Sequence, residues 1–464
     1  MKRHAIGIIL ILVLALIPLP SRGQEKAQDK RKALDPKTQT TDDPRRIPMP
    51  ARPLGPPGIL VLRGGRIFDG TGAPARPGTL VIRRNKIENI LPAESLDWPK
   101  EARVIDVGGK TVLPGLIDAH THIDYRNLDT PAPMVVNEAD AALRAVERAR
   151  YFLESGITAI RDVGSHGFVP FRLKAWISEN RVAGPRIFPA GAFITSTGGH
   201  AAEGEEPGTP MAVGTYVAEG PDQWRRAVRE QFNRGADLIK TGSHFSREEI
   251  RAAVSEAHAL GLKVACDAET FYIQWAVEAG VDVIEHPLPR TDETIRLMAE
   301  KGTASVPTLV PYALIFDLAG GYFGSTSRRF TFSKDANLDV LRRMKKAGIK
   351  MGIGTDMTIH WFRSLPYPYI RELKYFVEAG YSIPEALVAA TRTNAEILDM
   401  DDKLGTLEPG KLADITVIDG KPDQNLDDLS NVDIVIRDGH IVVRGGQVVI
   451  PRHVPTPLPL SGKK

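Results

Sequence analysis

The stretch Leu113-Pro-Gly-Leu-Ile-Asp-Ala-His-Thr-His122 is typical of a buried strand that ends in two histidines. Side chains alternate between the two faces of a strand, so Asp118, His120 and His122 are predicted to share one face while Thr121 points to the other. Two imidazoles on one face, two residues apart, can bind one metal ion together. We therefore expect further ligands elsewhere in the chain to converge on this point.

Seven further strand-like runs follow this strand, with helical segments between most of them. The first helix is predicted from Glu138 to Ser155 and closes at Gly156, a residue type that readily takes the left-handed conformation at helix ends. The seven runs lie at 157–163, 186–190, 237–240, 263–269, 281–286, 303–309 and 351–356. Eight strands that alternate with helices predict an α/β fold, a parallel (β/α)8 barrel of the TIM type, across residues 113–400.

Short β-rich runs split by glycine and proline lie on both sides of the barrel segment. Residues 57–112 contain several such runs, and residues 401–453 contain several more. Short strands with glycine turns are typical of hairpins. We predict that the two segments build one small β-sandwich from both ends of the chain, followed by a tail at residues 454–464.

The N-terminus has the pattern of a targeting segment. Met1-Lys-Arg-His4 is basic, and Ala5 to Pro20 is an uncharged apolar run that is short for a membrane span. We predict a signal peptide at residues 1–23, and hence export to the periplasm or secretion. The alternative is an uncleaved N-terminal anchor, through which the chain would contact a membrane. Residues 24–56 are polar and are predicted to be a disordered linker.

The distribution of charge and the cysteine content exclude two classes of protein. The chain has 60 Lys and Arg against 57 Asp and Glu, and residues 1–50 hold ten of the basic and five of the acidic residues. The remainder is near neutral, which argues against a broad nucleic-acid surface. Cys266 is the single cysteine, so the chain has no internal disulfide. We expect a small-molecule substrate, and a homo-oligomer is compatible with the sequence.

Polar residues close five of the predicted barrel strands. They are His120 and His122 on the first strand, Lys240 on the fourth, Asp267 and Glu269 on the fifth, His286 on the sixth and Asp356 on the eighth. Active sites of (β/α)8 barrels lie at the C-terminal ends of the strands. One polar strand end is usually a satisfied core histidine or a capping aspartate, but five such ends on one barrel indicate a shared site.

Six motifs between residues 57 and 450 carry a family resemblance. They are Val112-Leu-Pro-Gly-Leu-Ile-Asp-Ala-His-Thr-His122, Ala236-Asp-Leu-Ile-Lys240, Gly280-Val-Asp-Val-Ile-Glu-His286, Gly354-Thr-Asp356, Glu385-Ala-Leu-Val-Ala-Ala-Thr391 and Gly405-Thr-Leu-Glu-Pro-Gly-Lys-Leu-Ala-Asp-Ile415. The chain resembles the metal-dependent amidohydrolase superfamily, and within it the imidazolonepropionase-like and Xaa-Pro dipeptidase (prolidase-like) group. This resemblance implies a metal-binding barrel with an accompanying β-sandwich.

The resemblance also implies a role for each strand-end residue. His120 and His122 would bind the more buried metal, His286 would bind a second metal, and Asp356 would bind the first metal and act as proton shuttle. Lys240 matches the lysine that is carboxylated by CO2 in binuclear members and bridges the two ions; the alternative is a salt-bridged strand-end lysine. Burial near cations lowers a lysine pKa, and only the neutral amine adds CO2. One or two divalent ions are implied, with Zn favoured over Mn or Fe.

The fifth strand departs from the family pattern. This strand usually ends in a histidine ligand, often as His-Ala-His, whereas Asp267 and Glu269 occupy the two positions here. A carboxylate can replace imidazole, so Asp267 is predicted to be a ligand that favours harder ions; the alternative is a weakened or lost second metal site. Glu269 lies on the same strand face as Asp267, so it is placed either to hydrogen-bond a metal ligand or to contact the substrate.

The substrate site is predicted to involve the long loop from Phe193 to Pro221. Its Thr197-Gly-Gly-His200 motif resembles the prolidase-like members, and we assign His200 to substrate binding, with a plain surface histidine as the alternative. The expected reaction is hydrolysis of an amide or peptide-like C–N bond by a metal-activated water, with Asp356 moving the proton. With one metal only, His286 would hold the carbonyl oxygen.

Three functions are compatible with these residues. The first is hydrolysis of an Xaa-Pro dipeptide or an N-acyl amino acid. The second is hydrolysis of a cyclic amide of the imidazolone or hydantoin type, which uses the same metals in a pocket of different shape. The third is an exported binding protein on a decayed, non-catalytic barrel, which would account for Asp267.

Overall fold

The structure is a computed structural model that describes residues 55–125, 137–200, 202, 214–313, 333–357 and 359–452. The predicted signal peptide at 1–23, the predicted tail at 454–464 and most of the predicted linker at 24–56 lie outside these ranges. Within the described ranges, no helix combines the length and the apolar composition that crossing a membrane requires.

Strands dominate both ends of the described chain, and strands and helices alternate between them. The strands are β1 (Ile59–Ile67), β2 (Arg76–Arg83), β3 (Lys86–Leu91), β4 (Arg103–Asp106), β5 (Thr111–Pro114), β6 (Leu116–Thr121), β7 (Ile157–Asp162), β8 (Arg186–Pro189), β9 (Phe193–Thr195), β10 (Thr215–Val217), β11 (Leu238–Thr241), β12 (Lys263–Cys266), β13 (Val283–Glu285), β14 (Ala304–Val306), β15 (Ile415–Ile418), β16 (Val432–Arg437), β17 (His440–Arg444) and β18 (Gln447–Val448). The helices are α1 (Glu138–Glu154), α2 (Val169–Ser178), α3 (Gly220–Arg234), α4 (Arg247–Ala259), α5 (Phe271–Ala279), α6 (Asp292–Lys301), α7 (Lys334–Lys346), α8 (Tyr367–Glu378), α9 (Ile383–Val388) and α10 (Asn394–Ile397). A π-helical turn at Ala389–Thr393 joins α9 to α10, and 3-10 segments lie at Ile359–Ser364 and Leu426–Ser430.

Eight parallel segments close into a ring. Strand β6 pairs with β7 and β7 with β8, while β11, β12, β13 and β14 pair in sequence order. The Asp237 N–H donates to the Pro189 carbonyl at 2.9 Å and joins β8 to β11. Residues 351–357 form one parallel bridge to β14 and another to β6. The predicted (β/α)8 barrel is therefore confirmed.

Small and branched apolar side chains fill the barrel. One buried cluster unites Ala119, Val163, Ala190, Leu238, Ala265, Val283, Ala304, Val306 and Ile397. These residues come from five strands, from the positions directly after β7 and β8, and from α10, so the barrel is a packed core rather than a pore. The polar strand ends lie where this apolar filling stops.

The two ends of the chain share one nine-stranded sheet. Its order is β18-β17-β16-β15-β5-β1-β2-β3, with β4 paired to β1. Strand β15 runs antiparallel to β5, and this pairing joins the C-terminal strands to the N-terminal ones. Leu62, Ile67 and Val112 share one buried core with Ile415 and Ile436. The predicted β unit built from both ends of the chain is confirmed.

The long segment predicted as a loop from Phe193 to Pro221 contains structure of its own. Strands β9 and β10 lie within it and pair in parallel. Thr241 of β11 pairs with Ile194 of β9, so β9 and β10 add to the parallel sheet at barrel strand β11. The sequence concealed these strands because each spans only three residues.

Candidate metal centre

His120 lies at the end of β6 and is fully buried. Its Nδ1 donates to Oε2 of Glu285 at 2.7 Å, and the other Glu285 oxygen accepts from Nη2 of Arg161 at 2.7 Å. Burial lowers the pKa of His120 well below its ordinary value, so the imidazole is neutral. The neutral ring directs the lone pair of Nε2 away from Glu285, and Nε2 has no hydrogen-bond partner among the described residues.

His122, two residues further along the chain, is also oriented by a hydrogen bond at Nδ1. Its Nδ1 donates to the Gly164 carbonyl at 3.0 Å, which leaves Nε2 to face Oδ1 of Asp356 at 3.3 Å. The ring of Tyr125 stacks on the imidazole with 4.2 Å between centroids. Both histidines of the His-Thr-His motif are thus fixed at Nδ1 and present Nε2 to one point.

Asp356 ends the eighth barrel segment with a left-handed backbone, φ 49°. Its N–H donates to the His120 carbonyl at 2.7 Å, and its Oδ1 lies 3.5 Å from Nε2 of His120. Burial raises the pKa of this carboxyl, but the hydrogen bond with His122 and the electrostatic interactions with His286 and His122 outweigh burial. The pKa of Asp356 therefore lies below its ordinary value, and the group is a carboxylate.

His286 follows β13 and also has a left-handed backbone, φ 63°. Its Nδ1 lies 2.7 Å from Oγ1 of Thr308, and its ring lies 4.9 Å from the ring of His120. Its Nε2 lies 3.2 Å from Oδ2 of Asp267. Burial lowers the pKa of His286, against the opposing charge of Asp267, so this imidazole is also neutral.

These residues fit a divalent cation. One ligand atom from each of His120, His286 and Asp356 lies within 4.8 Å of the other two. Two neutral imidazoles and a carboxylate are the donors that zinc and related ions prefer. The buried Nε2 of His120 has no other partner in the described chain, and a cation would satisfy it.

Lys240 lies on β11 and is almost fully buried. Burial lowers the pKa of Lys240, while the nearby carboxylates of Glu285, Asp267 and Asp356 work against this shift. Its Nζ lies 5.6 Å from the centre of the Phe193 ring. The amine is thus close to the acidic groups of the centre and has an enhanced neutral fraction.

Asp267 and His200 meet beside His286. Oδ2 of Asp267 lies 3.2 Å from Nε2 of His286 and 3.3 Å from Nε2 of His200. The first distance puts Asp267 next to a candidate ligand, as expected for a carboxylate in place of histidine. The second brings His200, whose side chain is 24% exposed, to the edge of the centre.

Glu269 is buried and faces a histidine that the sequence did not single out. Its Oε1 lies 3.4 Å from Nε2 of His244, and the His244 ring stacks on Tyr272 with 5.4 Å between centroids. His244 has a left-handed backbone, φ 72°, on the loop after β11. Only its position four residues after Lys240 could have pointed to it.

Glu285 and Arg161 were also missed, although both lie on barrel strands. Strand alternation predicts that Glu285 and His286 point to opposite faces. The left-handed backbone of His286 breaks that alternation, and both side chains reach His120. Asp118, by contrast, shares the predicted face but accepts from the N–H groups of His120 and Thr355 at 3.1 and 3.0 Å, and thereby joins β6 to the eighth segment.

The chain is similar to several known hydrolases over most of its length. The model described as the amidohydrolase family matches residues 111–442. An ochratoxinase from Aspergillus niger is 26% identical over 406 residues, which cover 78% of this chain and 82% of the relative. An imidazolonepropionase from Geobacillus kaustophilus is 27% identical over 416 residues, which cover 80% of this chain and 92% of the relative.

A solved structure gives the same result at the level of the fold. The structure of a Xaa-Pro dipeptidase with methionine bound in its active site is 31% identical and superposes with a TM-score of 0.72. The match covers 83% of this chain and 99% of that one. Because the family model spans well over half of the sequence, the chain belongs to the amidohydrolase family, whose members are typically dependent on divalent metals and whose relatives named above hydrolyse carbon–nitrogen bonds.

Proposed function

We propose that this chain hydrolyses the amide bond of an Xaa-Pro dipeptide or an N-acyl amino acid. The observation that carries the proposal is the convergence of His120, His286 and Asp356, whose ligand atoms lie within 4.8 Å of one another. The relatives named as Xaa-Pro dipeptidase and ochratoxinase support this substrate class. Family membership argues against the non-catalytic alternative.

The candidate residues have two kinds of role: some would bind metal ions, and one would transfer a proton. His120, His122 and Asp356 would hold the first divalent ion. His286, whose ligand atom lies within 4.8 Å of those of His120 and Asp356, would hold an adjacent second ion with Asp267. When bound, such ions supply positive charge that acidifies water and polarises a carbonyl. Zn is the first choice for this donor set, and the extra carboxylate also suits Mn or Fe.

Asp356 is the proposed proton shuttle. Its pKa lies below the ordinary value, so at neutral pH it is ready to accept a proton from the attacking water. It then gives that proton to the leaving nitrogen. If only the first ion is bound, His286, neutral because of burial, would instead hold the substrate carbonyl. His200 and Glu269 would contact the rest of the substrate.

Lys240 is proposed to carry a carbamate. The neutral amine attacks CO2, a new N–C bond forms, and one proton passes to solvent, which leaves an anionic oxygen donor. The lowered pKa of the buried amine supports this step. Incubation with ¹³C-bicarbonate tests it directly, since a carbamate gives its own carbonyl resonance. The resonance should be absent from Lys240→Arg, and its absence from the wild type would leave an unmodified lysine.

The test of the proposed function measures metal and activity together. Protein without residues 1–23 is loaded with Zn or Mn in bicarbonate, and metal per chain is determined by elemental analysis. An Xaa-Pro and N-acyl panel is run beside cyclic amides of the imidazolone type. His120→Asn should lose metal and activity, while His258→Asn, which changes a half-exposed histidine paired with Asp282, should keep both.

Each outcome of this test has a clear meaning. Turnover of linear amides by metal-loaded protein supports the proposal. Turnover of cyclic amides alone would favour the imidazolonepropionase-like alternative, which the similarity to the Geobacillus kaustophilus relative supports. Absence of metal under every loading condition would contradict both.

We also propose that the chain is exported. The basic residues Lys2 and Arg3 and the apolar run from Ala5 to Pro20 support a signal peptide at 1–23. Expression of the full chain in a bacterial host, with fractionation and N-terminal sequencing, tests this. A mature N-terminus near residue 24 in the periplasm or medium is expected. An uncleaved membrane-bound chain would favour the anchor.

A further inference from the structure

Arg290 is a buried guanidinium whose hydrogen-bond partners among the described residues are backbone carbonyls and thioether sulfurs. It is 6% exposed, and its Nη2 and Nε donate to the carbonyls of His286 and Leu288 at 2.6 and 3.1 Å. Its Nη1 lies 3.5 Å from the sulfur of Met344 and 3.7 Å from that of Met298. No carboxylate pairs with it in the part of the chain that the structure describes. Burying a cation without an anionic partner is costly, so the placement of Arg290 points to a purpose other than stability.

The backbone that Arg290 holds is strained. His286 has φ 63°, a conformation that a side-chain-bearing residue rarely adopts. Its N–H donates to the Val306 carbonyl at 3.0 Å, and its own carbonyl accepts from Arg290. The peptide groups on both sides of the strained residue are therefore fixed by hydrogen bonds.

This conformation has a direct effect on the metal centre. Glu285 and His286 are consecutive, and regular strand geometry would point them to opposite faces. Instead the Glu285 carboxylate lies 2.7 Å from Nδ1 of His120, and the ring of His286 lies 4.9 Å from the ring of His120. Without the left-handed turn at His286, only one of the two side chains could face the centre.

The imidazole of His286 is held from a second direction. Oγ1 of Thr308 lies 2.7 Å from its Nδ1, and Thr308 itself has φ 46°. The two carboxyl oxygens of Glu372 accept from the N–H groups of Leu309 and Val310, each at 2.9 Å, and so anchor the residues that follow Thr308. Nε2 is the one ring atom left to face the cation.

We propose that Arg290 is a positioning residue for the second metal site: it holds the His286 carbonyl and thereby aims Nε2 of His286 at a divalent ion. This inference rests on the proposed function, because it requires His286 to be a metal ligand. Arg290 touches neither substrate nor metal. It acts through the backbone of His286.

The test compares metal affinity with the stability of the metal-free protein. Arg290→Met removes the donors and places a thioether beside two others, whereas Arg290→Lys keeps one cationic donor for the His286 carbonyl. Competition with a chelator should show about 10–100-fold weaker metal binding for Arg290→Met, the range typical of groups that orient a ligand. Arg290→Lys should recover part of this loss. Thr308→Val should weaken binding in the same direction.

Two control variants separate positioning from general stability. Met298→Ala opens a cavity on the other side of the guanidinium and should lower the Tm without weakening metal binding. Arg296→Met removes the charge of an arginine that is 69% exposed on the same helix and should change neither quantity. All affinities are measured well below the Tm, where every variant is folded.

The outcomes are distinct. Weaker metal binding in Arg290→Met but not in Met298→Ala supports the proposal. Wild-type affinity in folded Arg290→Met overturns it, and so does failure of both Arg290 variants to fold, since the guanidinium would then be a structural element. If the wild type itself binds no metal, the proposed function fails first and the inference fails with it.

Discussion

Oε2 of Glu285 lies 2.7 Å from Nδ1 of His120, although 165 residues separate them in sequence. The other oxygen of Glu285 accepts from Nη2 of Arg161 at 2.7 Å, so this side chain lies between a guanidinium and an imidazole N–H. This pairing fixes the ring of His120 with Nε2 directed at Asp356 and His286.

Glu285→Gln should weaken metal binding about 10–100-fold, because a neutral amide orients the His120 ring less firmly and makes Nε2 a poorer donor. The fold should survive, since glutamine has the same size as glutamate. Chelator competition measures the change. Glu300→Gln, an exposed glutamate on α6, is the control. Unchanged affinity in Glu285→Gln would mean that His120 needs no such partner.

Asp267→Ala should reduce the metal content from about two ions per chain to about one, because His286 loses the carboxylate 3.2 Å away. Asp267→His should restore the second ion and shift preference from Mn towards Zn, since imidazole is the softer donor. Elemental analysis after loading with equal Zn and Mn gives both values. One ion in the wild type and in every variant would exclude Asp267 as a ligand.

Asp356→Asn should lower kcat by about 10²–10⁴-fold, the loss expected when a group that transfers a proton is removed. The pH profile gives a second check. Since the pKa of Asp356 lies below its ordinary value of 3.8, the acid limb of kcat/KM assigned to this group should lie below that pH. Asp292→Asn, at an 86% exposed carboxylate, should leave the profile unchanged.

Gly354→Ala should destabilise the protein because a Cβ there would lie 2.7 Å from Cβ of His120 and 2.9 Å from its backbone nitrogen. Both atoms belong to the neighbouring barrel strand, so relief requires movement of the strand that carries the ligands. We expect a loss of about 1–3 kcal/mol and weaker metal binding. Thermal unfolding and metal titration check the two effects. A wild-type Tm together with wild-type metal affinity would show that this strand moves aside at little cost.

Glu372 should make stability depend on pH. Burial raises its pKa from 4.5 to about 8, so between these values the folded chain keeps a proton that the unfolded chain has lost. Stability should therefore fall as pH rises through this window, by at most about 1.4 kcal/mol per pH unit. Denaturant unfolding from pH 5 to 8 should show a shallower slope for Glu372→Gln than for Glu293→Gln, an exposed control. Equal slopes would contradict the shift.

Much of the site could be predicted from the sequence because it follows local rules. Strand alternation puts His120 and His122 on one face, and the order of strands and helices brings strand ends to one rim. The structure brings His286 and Asp356 to the same place, and Asp267 beside them. The metal roles of these residues remain predictions.

Other parts depend on contacts that no local pattern encodes. The approach of His200 to Asp267 requires a particular path of a long segment, and the stacking of His244 on Tyr272 requires a left-handed residue after β11. The sequence likewise offered no signal that Arg290 would be buried with no acidic partner among the residues that the structure describes.

The sequence by itself determined the barrel, the shared sheet and the identity of the strand-end donors, because apolar periodicity and strand–helix order act over a few residues. The tertiary structure decided which way those donors face. Left-handed backbones at His286 and Asp356, and the Nδ1 partners Glu285, Gly164 and Thr308, set the direction of each Nε2 or carboxylate. Such orientation arises only from packing between distant segments, since a strained backbone persists only where its surroundings hold it.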